Sequence, residues 1–184
     1  MLNSKSLLVA ALALVLAACG GNNVKKQPAE TASLNNDDLY EVHHEGRIYL
    51  FDDFATYQSF NEVGETAYRK VFIGEGPKGE TLVFGLTGKD KKKQSGIASI
   101  DLYQGKLQPA TPFYAELRME GRIYVFDSLQ ELKQVRQTGE AAYRFTEIGK
   151  GPKGETVVFV LTKENKKHKP VALQIAFKQR NNLM

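Results

Sequence analysis

Three hydrophobic patterns follow one another along the chain. Residues 7–18 are an unbroken apolar run of twelve, too short for a bilayer-spanning helix, which needs about 20 residues. A polar stretch follows, and then strand and helix spacings alternate to the end. Residues 40–51 and 115–126 predict β-hairpins with turns at His44-Glu45-Gly46 and Met119-Glu120-Gly121, where glycine supplies positive φ. In the second arm Ile48 and Leu50 alternate with Tyr49 and Phe51, so both faces are apolar, as in a strand covered on both sides. Phe54, Tyr57, Phe60 and Val63 recur at three-residue spacing, as do Leu129, Leu132 and Val135, and predict helices. Asp53 caps the first, Ser128 with Glu131 boxes the second, and Gly64 and Gly139 close them. A strand pair around Gly-Pro-Lys-Gly follows, at residues 68–73 and 81–86. Val171, Leu173, Ile175 and Phe177 alternate with Ala172, Gln174 and Ala176 and predict a closing strand, with Ala98, Ile100 and Leu102 as its counterpart.

The pattern repeats because the residues do. At an offset of 75, EGRIYLFD falls on EGRIYVFD, GETAYR on GEAAYR, and GEGPKGETLVFGLT on GKGPKGETVVFVLT. From Glu45 to Thr87, 24 of 43 positions are identical without a gap, where chance would give about three. The period is too long for a solenoid and fits two small domains or two halves of one. The expected fold is α+β, a β-β-α-β-β-β unit used twice, with one helix per repeat on a mainly antiparallel sheet. The expected segments are 1–18, 19–38, 39–108 for repeat 1 and 109–184 for repeat 2. A unit of about 70 residues is marginal alone, so the copies are expected to share a core or pack tightly.

Charge and cysteine content change the picture at the chain's start. The net charge of +4 is mildly basic and permits weak attraction to anionic surfaces. Lys5 precedes the apolar run, which suits a signal-peptide h-region. The run ends in Leu16-Ala17-Ala18-Cys19-Gly20, and Cys19 is the chain's single cysteine, so no intrachain disulfide can form. This ending resembles the lipobox of bacterial lipoprotein precursors. The resemblance implies cleavage before Cys19, acylation of its thiol and stable anchoring, at about 0.8 kcal/mol per buried methylene. Residues 20–38 are polar and read as a flexible tether. Gly20 after the cysteine implies, under enterobacterial sorting, the outer membrane.

Candidate chemistry is sparse. Gly-x-Gly-Pro-Lys-Gly-Glu-Thr lies between strands and its lysine precedes glycine, so it reads as a hairpin turn rather than a phosphate loop. Lys78 and Lys153 at those turns are candidate surface contacts. So are Lys91, Lys92 and Lys93, and Lys166 and Lys167, in two basic loops that also suit plain solvation. No aromatic-basic motif accompanies them, and no nucleic acid is expected. Arg47, Asp52, Glu65, Tyr68 and Arg69 recur as Arg122, Asp127, Glu140, Tyr143 and Arg144, and are expected to form internal salt bridges. His43 and His44 point to opposite strand faces, poor geometry for joint chelation; a weak copper or haem contact through one of them with Met119 is the alternative. There is no Gly-x-Ser-x-Gly, no His-Glu-x-x-His and no free cysteine nucleophile, so no catalytic residue and no cofactor is assigned.

The stretch from Gly46 to Asp53, followed by a helix, and its copy from Gly121 resemble the hairpin–helix core of YHS-type domains. Two such units behind a lipobox are similar to the copper lipoproteins associated with nitrous oxide reductase. The resemblance covers about 20 residues per copy and implies metal handling in the envelope. Asp52 and Asp127 stand where metal-binding members carry cysteine, so no ligand residue is carried over. The sequence thus points to a non-enzymatic, lipid-anchored binding or assembly module of the bacterial envelope, meeting a protein or an anionic polymer. The alternative is a small-molecule or metal carrier with its pocket between the copies.

Overall fold

The computed structural model describes residues 34–184; the apolar run, Cys19 and residues 20–33 of the tether lie outside them. The described chain is α+β: one mixed, mostly antiparallel sheet of eight strands with four helices. The first half runs β1 (Asp38–His44), β2 (Arg47–Phe51), α1 (Phe54–Val63), β3 (Arg69–Phe72), β4 (Thr81–Gly85) and α2 (Ala98–Tyr103). The second runs β5 (Tyr114–Met119), β6 (Arg122–Phe126), α3 (Leu129–Thr138), β7 (Tyr143–Glu147), β8 (Thr156–Leu161) and α4 (Val171–Arg180). Strand order is β3-β4-β2-β1-β5-β6-β8-β7, with β1 and β5 parallel at the centre. None of the helices among the described residues is long and apolar enough to cross a membrane.

The hairpins, two helices and glycine-rich turns form where local chemistry dictates. Glu45 and Gly46 have φ of 50° and 71°, and Glu120 and Gly121 of 52° and 72°, the doubly left-handed pair that matches the twist of a two-residue hairpin. Asp53 accepts the Thr56 N–H at 2.8 Å to cap α1, and Ser128 accepts that of Glu131 to cap α3. In the Gly-Pro-Lys-Gly turn, the Gly79 N–H donates to the Gly76 carbonyl at 3.0 Å and the Lys78 N–H to the Glu80 carboxylate at 2.7 Å; Gly154, Lys153 and Glu155 repeat this. A Cβ on Gly76 would lie 2.6 Å from Glu80 Oε2 and 2.9 Å from its Cβ. Gly76→Ala and Gly151→Ala are therefore each expected to lose about 1 kcal/mol, read as a lower urea midpoint with unchanged slope.

The closing strand is the main correction. Residues 171–180 form α4, and residues 98–103 form α2. Leu173 and Phe177 are buried one turn apart, while Val171 and Ile175 of the same alternation are about half exposed, at 53% and 45%. A short apolar run fits either period. Pro170 before the helix and Lys178 and Arg180 in its last turn are the helix signals that the alternation hides. Each half is thus β-β-α-β-β-α, with two helices rather than one.

Those extra helices explain why the hairpin strands are apolar on both faces. Tyr49, Phe51 and Val83 of the first half share a core with α1, and Ile123, Val125 and Phe159 of the second join the same core under α4. On the other face Ile48, Leu50 and Phe84 pack under α2, and Tyr124, Phe126 and Val160 under α3. Equivalent helices therefore lie on opposite faces. Together with parallel β1 and β5, this relates the halves by about half a turn around a line along the central strands. Asn35 and Asn36, expected in the tether, already bond to the Asp52 and Gln108 carbonyls at 2.6 and 2.8 Å.

The seam between the halves is filled, and two buried glutamates sit in it. Glu41 on β1 accepts Arg136 of α3 through Nε and Nη2 at 2.8 and 2.6 Å and lies 2.7 Å from His43 Nε2. Glu116 on β5 accepts the hydroxyls of Tyr57 and Tyr114 at 2.8 and 2.6 Å and the Asn181 amide at 2.8 Å. Burial alone would raise the Glu41 pKa, but the Arg136 guanidinium and His43 outweigh it and hold the carboxyl below its ordinary value of 4.5. A depressed folded pKa contributes stability above the unfolded value, lost as pH falls through the folded one. The stability difference between the natural chain and Glu41→Gln should therefore shrink as pH falls from about 5 toward 3. A difference constant with pH in urea titrations would count against this assignment.

Candidate functional site

The lysines that the sequence offers as a contact surface are not brought together. Lys78 and Lys153 lie at one end of their hairpins, and the basic loops at the other, about 17 Å away along a five-residue strand. Several of these lysines are also engaged. Lys153 Nζ donates to the Asn61 carbonyl at the end of α1, 2.9 Å away, so it ties the two halves together. Lys91 and Lys166 sit over the rings of Tyr68 and Tyr143, at 4.7 and 4.3 Å from the centroids, and Lys93 pairs with Asp90 at 2.7 Å. Lys78, Lys92 and Lys167 make no side-chain bond among the described residues.

The recurring charged residues do not form the expected internal salt bridges either. Among the described residues, ion pairs join Glu41 to Arg136 and His43, Arg118 to Glu155, Lys93 to Asp90, Arg180 to Asp38 and His44 to Glu45. None involves Arg47, Asp52, Glu65, Arg69 or their copies. Asp52 instead accepts the Ser99 N–H of α2 at 2.7 Å, and Asp127 is exposed. Tyr68 and Tyr143 seat the lysines. The arginines and glutamates go elsewhere, to two open grooves.

Each groove arises because a helix covers only the inner strands of its half. Gly64 turns left-handed at the end of α1, with φ of 77°, and redirects the chain across the sheet. The edge strand β3 is left uncovered on that face, with Arg69 and Val71 exposed. The resulting groove of about 530 Å³ has buried Tyr49 and Val83 as its floor and exposed Arg47, Glu65, Arg69 and Ile73 around it. Beside α3, on the opposite face, Tyr124 and Val158 floor a groove of about 500 Å³ flanked by Arg122, Glu140, Arg144 and Ile148. The Tyr49 hydroxyl, 3.5 Å from Arg47 Nη1, raises the arginine's pKa, and Tyr124 does the same for Arg122. These guanidiniums are fixed positive charges in water, suited to forked bonds with a carboxylate or phosphate.

The grooves were legible as a recurrence but not as a place. Each of the eight residues lining the second groove lies 75 positions after one lining the first, and seven of the eight are identical; only Val71 against Thr146 differs. The neighbouring helices α1 and α3 share none of their ten residues. Glu41 and Glu116 were also missed, although they too recur at an offset of 75, just before the counted stretch. The histidines behave as their strand positions imply: His43 faces Glu41, His44 borders the first groove, and Met119 is buried in the other half's core. No group of three or more His, Cys, Asp or Glu side chains that could hold a metal occurs among the described residues. Comparison with family models, curated proteins and solved structures found no match.

Proposed function

We propose that the protein is a lipid-anchored binding module of the bacterial envelope, built by tandem duplication of one β-β-α-β-β-α unit and gripping its partner in two equivalent grooves. One observation carries the reading. Arg47, Glu65, Arg69 and Ile73 are exposed, so packing does not demand them, yet all four recur while the adjacent helix has diverged at every position. Exposed positions tolerate change within about 0.5 kcal/mol, so stability alone gives no reason to keep them. The lipid anchor at Cys19 rests on the sequence, and intact-mass measurement of the membrane-extracted chain is expected to show acylation there.

The test is a thermal-shift screen of the full chain in detergent against lipid A analogues, muropeptides, copper and haem. A probe at 100 times its dissociation constant stabilises by about 2.7 kcal/mol. Arg47→Ala with Arg69→Ala is expected to remove one site, and adding Arg122→Ala with Arg144→Ala to remove both. The unliganded melting temperature should barely move. Equal binding by the fourfold variant would sink the groove reading. The carrier reading has less support, because the seam is occupied by Leu39, Ala115, Leu117, Glu41 and Glu116, all buried.

A further inference from the structure

Resting on the lipid-anchor reading, we infer that one end of the sheet is a membrane seat, where the two lysine-rich loops meet the phosphates of anionic phospholipid headgroups. Strand direction brings the parts together. β1 is antiparallel to β2 and β2 parallel to β4, so the loop after β4 lies at the end where β1 starts. β5, β6 and β8 repeat this pattern, and β1 and β5 are parallel, so the loop after β8 lies at the same end. In the strand order β1 is two strands from β4 and three from β8. The chain that leads back to Cys19 therefore leaves between the two loops. Asn35 and Asn36 fix its exit there, donating to the carbonyls of Asp52 and Gln108.

Charge is distributed to match. Residues 88–96 and 162–170 each carry four lysines and one acidic residue, and all eight lysines are exposed. The turns at the opposite end, residues 44–47, 73–81, 119–122 and 148–156, carry five basic and five acidic residues between them. Near the loops, Asp90 pairs with Lys93, and Asp52 and Asp53 accept the N–H groups of Ser99 and Thr56. Asp37 and Asp127 are exposed and offset only part of the positive charge. Any polyanion would suit such loops; the anchor selects the bilayer. Fifteen residues separate Leu34 from Cys19, and a polar linker of that length spans about 20 Å. The anchored leaflet is thus nearer this end than the other, which is about 17 Å farther along the strands. Within a Debye length of an anionic leaflet, each lysine strengthens attachment about fivefold. Seated this way the sheet stands upright, and the two grooves on its opposite faces both stay open, whereas lying flat would close one.

The experiment places the acylated full chain in vesicles of phosphatidylcholine, with or without phosphatidylglycerol, and reads the rate of lysine modification by an amine-reactive reagent through peptide mass spectrometry. Phosphatidylglycerol is expected to slow modification within residues 89–93 and 163–169 about tenfold. Lys78 and Lys150, at the opposite end, should keep their rates. High salt should restore the loops' reactivity. Lys92→Gln with Lys167→Gln, at two exposed lysines without a side-chain bond among the described residues, should lower the salt concentration that does so. Three results overturn the membrane seat and leave the anchor reading standing: no slowing, equal slowing of Lys78 and Lys150, or equal protection by soluble polyglutamate over phosphatidylcholine alone. An intact mass without acyl groups on Cys19 overturns the anchor reading, and the seat with it.

Discussion

Replacing Arg136 by methionine is expected to cost about 3–5 kcal/mol of stability, the usual penalty for stranding a buried charge. Glu41 is 0% exposed and the Arg136 side chain 5% exposed, so no water can take over when the guanidinium goes. His43 stays beside the carboxylate, at one oxygen only, and the Tyr103 ring loses the guanidinium stacked 4.5 Å from its centroid. The loss is a large share of the roughly 5–15 kcal/mol that holds a whole domain together. Because Glu41 belongs to the first half and Arg136 to the second, the variant also loosens the seam. Urea unfolding of the full chain measures it. Glu41→Leu added to Arg136→Met should recover most of the loss, since an apolar pair of similar volume replaces a buried ion pair at little cost. A single variant within about 1 kcal/mol of the natural chain, the range of exposed pairs, would show that the bridge does not hold the seam.

Gly85→Val is the second large effect, at about 1–3 kcal/mol or more. A Cβ at position 85 would stand 2.5 Å from Cδ1 of the Phe51 ring and closer still to Cε1. Phe51 is fully buried among Tyr57 and Phe60, with ring centroids at 6.1 and 5.3 Å, and has nowhere to go. The second half carries Val160 at the equivalent position and packs it beside Phe126 in its own core. The reciprocal Val160→Gly leaves a void and adds glycine's chain entropy. Each substitution is drawn from the other half, yet both are expected to lower the thermal midpoint. Neutrality of either would mean that the cores are interchangeable.

The two cores show how equal strand patterns come to be covered differently. Ile48, Tyr49, Leu50 and Phe51 announce a strand buried on both faces, but not which segments bury it. Residues 171–177 predict a strand by their alternation, although the Leu173–Phe177 spacing also fits a helix. The sheet decides between them: with β1 to β8 paired, the second apolar face still needs a cover, and α2 and α4 supply it. Salt bridges failed for a similar reason. Arg47 and Glu65 recur together and look like partners, whereas the two shortest Arg–Glu pairs join β1 to α3 and β5 to the β7–β8 turn, elements brought close by packing alone.

The sequence by itself determined the hairpins, the caps of α1 and α3, the Gly-Pro-Lys-Gly turns and the recurrence at 75 residues. Each rests on contacts within a few positions, or on identity that any alignment of the chain with itself reveals. Only the tertiary structure decided that the halves join through parallel β1 and β5 and swap faces, that α2 and α4 are helices, and that exposed recurring residues converge on two grooves. Those outcomes depend on which apolar faces remain uncovered once the sheet has formed, a property of the assembled layers that no short stretch of the chain carries.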